Sequence, residues 1–332
     1  MKIFDETVNL KMGVAESFNV SPQYTFSDIS EELNAISCGD NSVLMIDSTK
    51  TVQIIDFEGK VFSKELSLYP SCCCATSSGG WIIGFRTGQI TEFDQYLTII
   101  TSFHPPGGHK AHGCEVKHVK QNADVYSKKC HLISVGEDGV CRIWNQVGIL
   151  VSEYKSGVGF TSVCSTPFFA FLSDKSTIVN TLCIDSEISA KFSLPSPAIH
   201  MAPIGEGYAC IVAMKDGNVA VISSNQVLDV FSFKDKKSLT TVVPLAIEEG
   251  TGLVTYAALD SDGKITLRAF DTIISEIGDG SSLFSSSENW LVTIFDKKLF
   301  VYNIDKLRFK TMNSLPELDL PRKPISEFFS SQ

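Results

Sequence analysis

The residues best suited to chemistry gather in one stretch of the chain. His104, His109, His112, His118 and Cys114 all lie between residues 104 and 118. A zinc centre would need three or four such ligands converging tetrahedrally. The order His-x4-His-x2-His-x-Cys lacks the paired spacing of structural zinc sites, so the expectation is no metal and no cofactor. Lys110, Lys117 and Lys120 stand in the same region. With His109 they suggest a basic rim that could meet an acidic partner. Other chemistry is not encoded. There is no Gly-x-Ser-x-Gly elbow, no phosphate-cradling Gly-x4-Gly-Lys-Ser/Thr loop and no His-Glu-x-x-His pair. Asp260/Asp262 and Glu248/Glu249 fall in turn sequences, where solvated acids are the ordinary case. The chain therefore reads as a non-enzyme.

Composition narrows the class further. A 43% hydrophobic and 20% charged chain of 332 residues is globular, and its net charge of −10 argues against a nucleic-acid partner. The acidity instead favours at least one protein partner with a basic surface. No apolar run reaches the ~20 residues that span a bilayer, and the first ten residues lack the pattern of an export signal. An intracellular protein, cytoplasmic or nuclear, is expected. Its ten cysteines then read as buried free thiols, most of them inside apolar strand-like runs. The triplet Cys72-Cys73-Cys74 would place alternate thiols on opposite faces of a strand.

The elements that position these residues show best in His131–Asn145, HLISVGEDGVCRIWN. Two apolar runs flank Asp138-Gly139, a strong hairpin signal because glycine tolerates the positive φ of the turn. The pattern recurs. An apolar residue followed by Asp, Asn or Ser closes a short strand at Ile55, Phe93, Trp144, Ile184, Ile222, Phe270 and Tyr302, at intervals of 32 to 51 residues. Four-stranded propeller blades repeat every ~40–45 residues. Turns such as FRTGQ, GEDGV, MKDGN and DSDGK precede these positions, and inner strands such as VKHVKQ, FTSVCS, AIHMAP and LTTVVPLA lie upstream.

The third unit resembles the WD-repeat propeller family, on His112 before the inner strand, Ser134 on the next, Asp138 in the turn and Trp144 on the third. The resemblance implies that these four side chains form a structural hydrogen-bonded network, despite its likeness to catalytic machinery. Elsewhere the tryptophan gives way to Ile, Phe or Tyr and the histidine is missing.

The expected fold is all-β, a seven-bladed propeller of four-stranded antiparallel blades over residues 1–312. Its blades fall near 33–68, 71–104, 110–156, 159–194, 197–234, 238–280 and 282–312. A ring must close or leave unpaired edges, and residues 1–30 are expected to supply the outermost strand of the seventh blade. Trp81 and Trp290 read as inner-strand core. Residues 313–332 form an extended tail, either packed on the propeller or docking a partner through Leu318, Phe328 and Phe329.

The family resemblance implies a scaffold or adaptor, a subunit of a multiprotein complex that is monomeric by itself. Two alternatives stand beside it: a module that recognises ubiquitin or a modified protein, and the propeller of a membrane-trafficking coat or tether.

Overall fold

Short β-branched and aromatic runs punctuated by Asp-Gly turns leave the chain little choice but antiparallel hairpins. The computed structural model describes residues 21–30, 33–122, 130–156, 158–184, 189–204, 209–233, 237–247, 254–269, 272–279, 284–287 and 289–307. After β1 (Tyr24–Phe26), blade 1 comprises β2 (Leu33–Cys38), β3 (Ser42–Asp47), β4 (Thr51–Asp56) and β5 (Val61–Glu65). Blade 2 comprises β6 (Pro70–Ala75), β7 (Trp81–Phe85), β8 (Ile90–Phe93) and β9 (Ile99–Phe103), and blade 3 β10 (Val116–Gln121), β11 (Leu132–Gly136), β12 (Val140–Trp144) and β13 (Leu150–Lys155). Blade 4 holds β14 (Ser162–Ser165), β15 (Phe169–Ser173), β16 (Ile178–Cys183) and β17 (Ser189–Ser193), and blade 5 β18 (Ala198–Ile204), β19 (Ala209–Met214), β20 (Val219–Ile222) and β21 (Val227–Phe231). Blade 6 has β22 (Leu239–Ile247), β23 (Val254–Asp260), β24 (Lys264–Ala269) and β25 (Thr272–Asp279). Blade 7 has β26 (Phe284–Ser286), β27 (Trp290–Phe295) and β28 (Lys298–Asn303), completed by β1 in the order β1-β28-β27-β26. The fold is a seven-bladed β-propeller.

The first strands of successive blades touch in sequence, and β2 meets β26 to complete the circuit. Each blade buries both faces against its neighbours, so the middle strands are mostly apolar: β7, β11, β19 and β23 are buried at every position, with Ser134, Thr255 and Asp260 the polar exceptions. The outermost strands face water; all five residues of β5 are exposed. The core is accordingly divided into seven clusters, one per seam between blades.

The recurring Asp or Asn after each third strand has a local cause in blades 1 to 3. Asp56, Asp94 and Asn145 each turn a side-chain oxygen back to accept from the backbone N–H four residues on, at 2.8, 2.8 and 2.9 Å. This closes the turn into the outermost strand. Its next-to-last position is left-handed, held by Gly59 and Gly148 in blades 1 and 3 but by Leu97 (φ 58°) in blade 2. A left-handed leucine costs roughly 1–2 kcal/mol. Full burial of its side chain in the seam between blades 1 and 2 offsets that.

Ring closure follows the expected route. Tyr24, Thr25 and Phe26 pair antiparallel with Val301, Phe300 and Leu299. The seam is clasped by three rings from three strands and turns: Tyr24 stacks on Phe57 of blade 1 at 5.3 Å and meets Trp290 at 5.6 Å, and Phe57 meets Trp290 edge-on at 5.0 Å. Trp290 Nε1 donates to the Asp40 carbonyl across the seam at 2.7 Å. This corrects the assignment of both tryptophans to inner strands. Each begins the second strand of its blade; Trp81 is buried in the core, while Trp290 is half-buried at the closing seam. Among the described residues no helix is long and apolar enough to cross a membrane. The tail from residue 313, with Leu318, Phe328 and Phe329, lies outside the described residues.

Candidate functional site

Blade 3 gathers the polar side chains that most resemble chemistry. Ser134 on β11 accepts from Trp144 Nε1 at 2.8 Å and bonds His112 Nε2 at 2.8 Å. His112, Ser134 and Trp144 are all buried. His112 arrives from the loop before β10, where its backbone N–H donates to the Gly88 carbonyl of blade 2 at 2.8 Å. Gly88 is left-handed, and a Cβ there would strike the His112 carbonyl; a Cβ on Gly136 would strike the imidazole itself. These glycines make the room that the ring occupies.

At Nδ1 the imidazole meets two groups with opposite demands. Arg142 Nη1 approaches to 2.9 Å and can only donate, while Asp138 Oδ1 at 3.3 Å can only accept. A neutral ring serves one at a time, according to its tautomer. Burial is the main force on this group, and it holds the imidazole well below its usual range, at about 4, against the raising effect of Asp138. Arg142 also reaches Glu153 at 3.2 Å and Asp138 at 3.7 Å. Sequence reasoning missed Arg142 and Glu153. Their signal is that the two charges stand directly opposite on β12 and β13. The polar atoms that a triad would need, both ring nitrogens of His112 and the Ser134 hydroxyl, are bonded to neighbours within blade 3.

The half-buried histidines His118, His200 and His131 are also engaged. Five first strands carry a one-residue bulge near their start, at Asn34, Ser71, Lys117, Ile199 and Thr240. The next residue in blades 2, 3 and 5 is Cys72, His118 or His200. Cys72 Sγ reaches the Val116 carbonyl of blade 3 at 3.4 Å, and His200 Nδ1 accepts from Val242 N–H of blade 6 at 3.4 Å. His118 bonds the backbone of Thr161, at the start of blade 4. These side chains latch one inner strand to the next. Burial, with the Lys120 charge nearby, holds His118 at about 4 and His200 at about 3. His131 Nε2 pairs with buried Glu92 at 3.0 Å in the seam of blades 2 and 3. Among the described residues no group of three His, Cys, Asp or Glu side chains could hold a metal. A cavity of about 320 Å³ opens between blades 3 and 4, where Tyr154 O–H donates to Asn180 Oδ1 at 3.0 Å.

The residues expected to form a basic rim do not act as one set. His109 and Lys110 are exposed on the loop between β9 and β10. Lys117 is neutralised by Glu115 at 3.0 Å and Glu137 at 3.9 Å. Lys120 sits on the innermost strand, where its charge reaches Cys73 and Cys74 of blade 2 and His200 of blade 5, so it belongs to the central channel. The cations that do converge on the loop face lie elsewhere. Lys50 Nζ and the Arg86 guanidinium stand 5.0 and 5.6 Å from the ring centre of Tyr69, itself 46% exposed. The backbone fixes this corner: Leu66 N–H donates to the Lys50 carbonyl and Arg86 N–H to the Tyr69 carbonyl, each at 2.9 Å. Neither cation is in a salt bridge among the described residues. Asp47 in the same turn is occupied by the Thr49 hydroxyl and N–H at 2.6 and 2.8 Å.

No protein-family description matches the chain, and no curated protein matches it.

Proposed function

We propose that this chain is a non-enzymatic interaction scaffold of the WD-repeat type, a subunit of a protein complex that docks partners on its loop face. The observation that carries the reading is the corner formed by Tyr69, Lys50 and Arg86. An exposed tyrosine between two cations that form no salt bridge among the described residues combines residue types that dominate interface energetics, and it sits on loops held by a rigid ring, which lowers the ordering cost of binding. The groups that might have argued for catalysis support the same reading, because His112, Ser134 and Trp144 are spent on each other. An acidic segment of a partner suits this corner, while the net acidity of the chain suits a basic partner elsewhere. A second reading, recognition of a modified protein, draws on the same two cations, which an anionic modification would neutralise.

The test is affinity purification of the full chain and of its Arg86→Glu variant, read by mass spectrometry beside their melting temperatures. A defined partner set that loses members in the variant at unchanged stability is expected. Identical partner sets would remove this corner from the interface, and turnover by the purified chain would remove the scaffold reading.

A further inference from the structure

The exposed hydrophobic side chains are concentrated on one part of the outer wall. Phe62 on β5, Tyr96 in the turn before β9, Ile99 and Ile100 on β9, and Val147 and Ile149 in the turn before β13 are open to solvent, by 41% to 69%. Contacts between blades make their supports continuous. Lys64 Nζ of β5 donates to the Leu97 carbonyl in the turn before β9 at 2.7 Å. Gly148, between Val147 and Ile149, lies so close to β9 that a Cβ on it would come within 2.6 Å of the Ser102 carbonyl. The outermost strands of blades 1, 2 and 3 and the turns that enter them thus share one wall, apolar at these six positions and crossed by the Lys64 ammonium.

Its centre is an undefended edge. Strand β9 ends the sheet of blade 2 and, among the described residues, pairs only with β8. Its sequence, Ile-Ile-Thr-Ser-Phe, contains no charge and no proline, the usual devices that blunt an edge. The outermost strands of blades 1 and 3 to 6 all carry one or more: Lys64, Glu153, Lys191, Asp229 and Glu276 are examples. Six large side chains exposed to this degree amount to on the order of 600 Å² of surface, near the ~800 Å² that each partner brings to a standard interface and at the top of what a monomer leaves uncovered.

We propose that this wall is the interface of a homodimer, with β9 lying antiparallel to β9 of a second copy across a two-fold axis. An edge strand meets its own copy antiparallel under that symmetry, so one apolar strip can serve both sides. The absence of charge matters equally. Two chains of net charge −10 repel, and β9 is a place where they can meet without setting like charges against each other. This replaces the expectation of a monomer and does not depend on the scaffold reading.

Light scattering coupled to size exclusion, with sedimentation over a wide concentration range, tests it on the full chain. The expected mass is twice 36.3 kDa. Ile100→Lys should weaken dimerisation by roughly a hundredfold, since two lysines would then face each other near the axis, at an unchanged melting temperature because the residue is exposed. Tyr96→Lys, in a turn outside the strand, provides a second probe. A monomer at every concentration overturns the proposal and leaves the wall to a different protein. A dimer that neither variant disturbs overturns it as well, by placing self-association on another surface.

Discussion

Ser134 shows how a side chain with the composition of a catalytic site becomes structural. One hydroxyl joins the indole of Trp144 to the imidazole of His112, so Ser134→Ala strands two buried polar groups. The expected cost is about 1–3 kcal/mol, against about 3–5 kcal/mol for Trp144→Ala. Denaturant unfolding checks both, with partner binding read alongside; lost binding at unchanged stability would make the network functional. The three depressed histidines set a second expectation. His112 (facing Asp138, Arg142 and Glu153), His118 (facing Lys120 and Lys117) and His200 (facing Lys120 and His118) are harder to protonate when folded than when unfolded. Their stabilising contribution is complete above pH ~6.5 and declines as pH falls toward about 4 for His112 and His118 and about 3 for His200. The slope is ~1.4 kcal/mol per pH unit per histidine. Melting temperatures should fall through this window, less steeply in His200→Gln; a flat profile would mean that these rings are charged in the folded state.

Closure of the ring rests on a strand of only three residues. Three residues of β1 complete blade 7, and Ile29 N–H, just beyond them, donates to the Lys297 carbonyl at 2.9 Å. Without them, β28 is an open edge and the rings of Phe57 and Trp290 lose Tyr24. Deleting residues 1–30 should therefore lower the melting temperature and promote aggregation, and Tyr24→Ala should reproduce part of the loss. A truncated chain that melts unchanged would show that the seam holds without its outer strand. Blade number, hairpin turns and the closing strand were legible because they rest on local chemistry: Asp138-Gly139 can hardly be anything but a turn, and PQYTFSD offers a strand that no other blade needs. The bulges were not legible. A bulge is a matter of register between two strands, and neither VKHVKQ nor AIHMAP announces that its second residue is the extra one. Without that register, Lys120 reads as rim instead of channel.

At the scale of the whole molecule, each blade packs its apolar faces against its two neighbours, and the core is seven seams instead of one centre. This limits what a sequence can disclose. The strand pattern reports which residues are buried, but a seam is made by two blades whose relative placement is set by the ring. Phe57 and Trp290 are 233 positions apart in the chain, and only closure brings them to 5.0 Å. The same geometry scatters the loop face over distant segments, so Lys50, Tyr69 and Arg86 form a corner that no short motif encodes. It also sets a clock. Tyr24 leaves the ribosome 277 residues before its partner Val301. At ~5–20 residues per second the first strand waits on the order of 10–60 s for the strand it completes. For that interval the nascent ring is open on both sides of its last seam, which is when a chaperone would have most to cover.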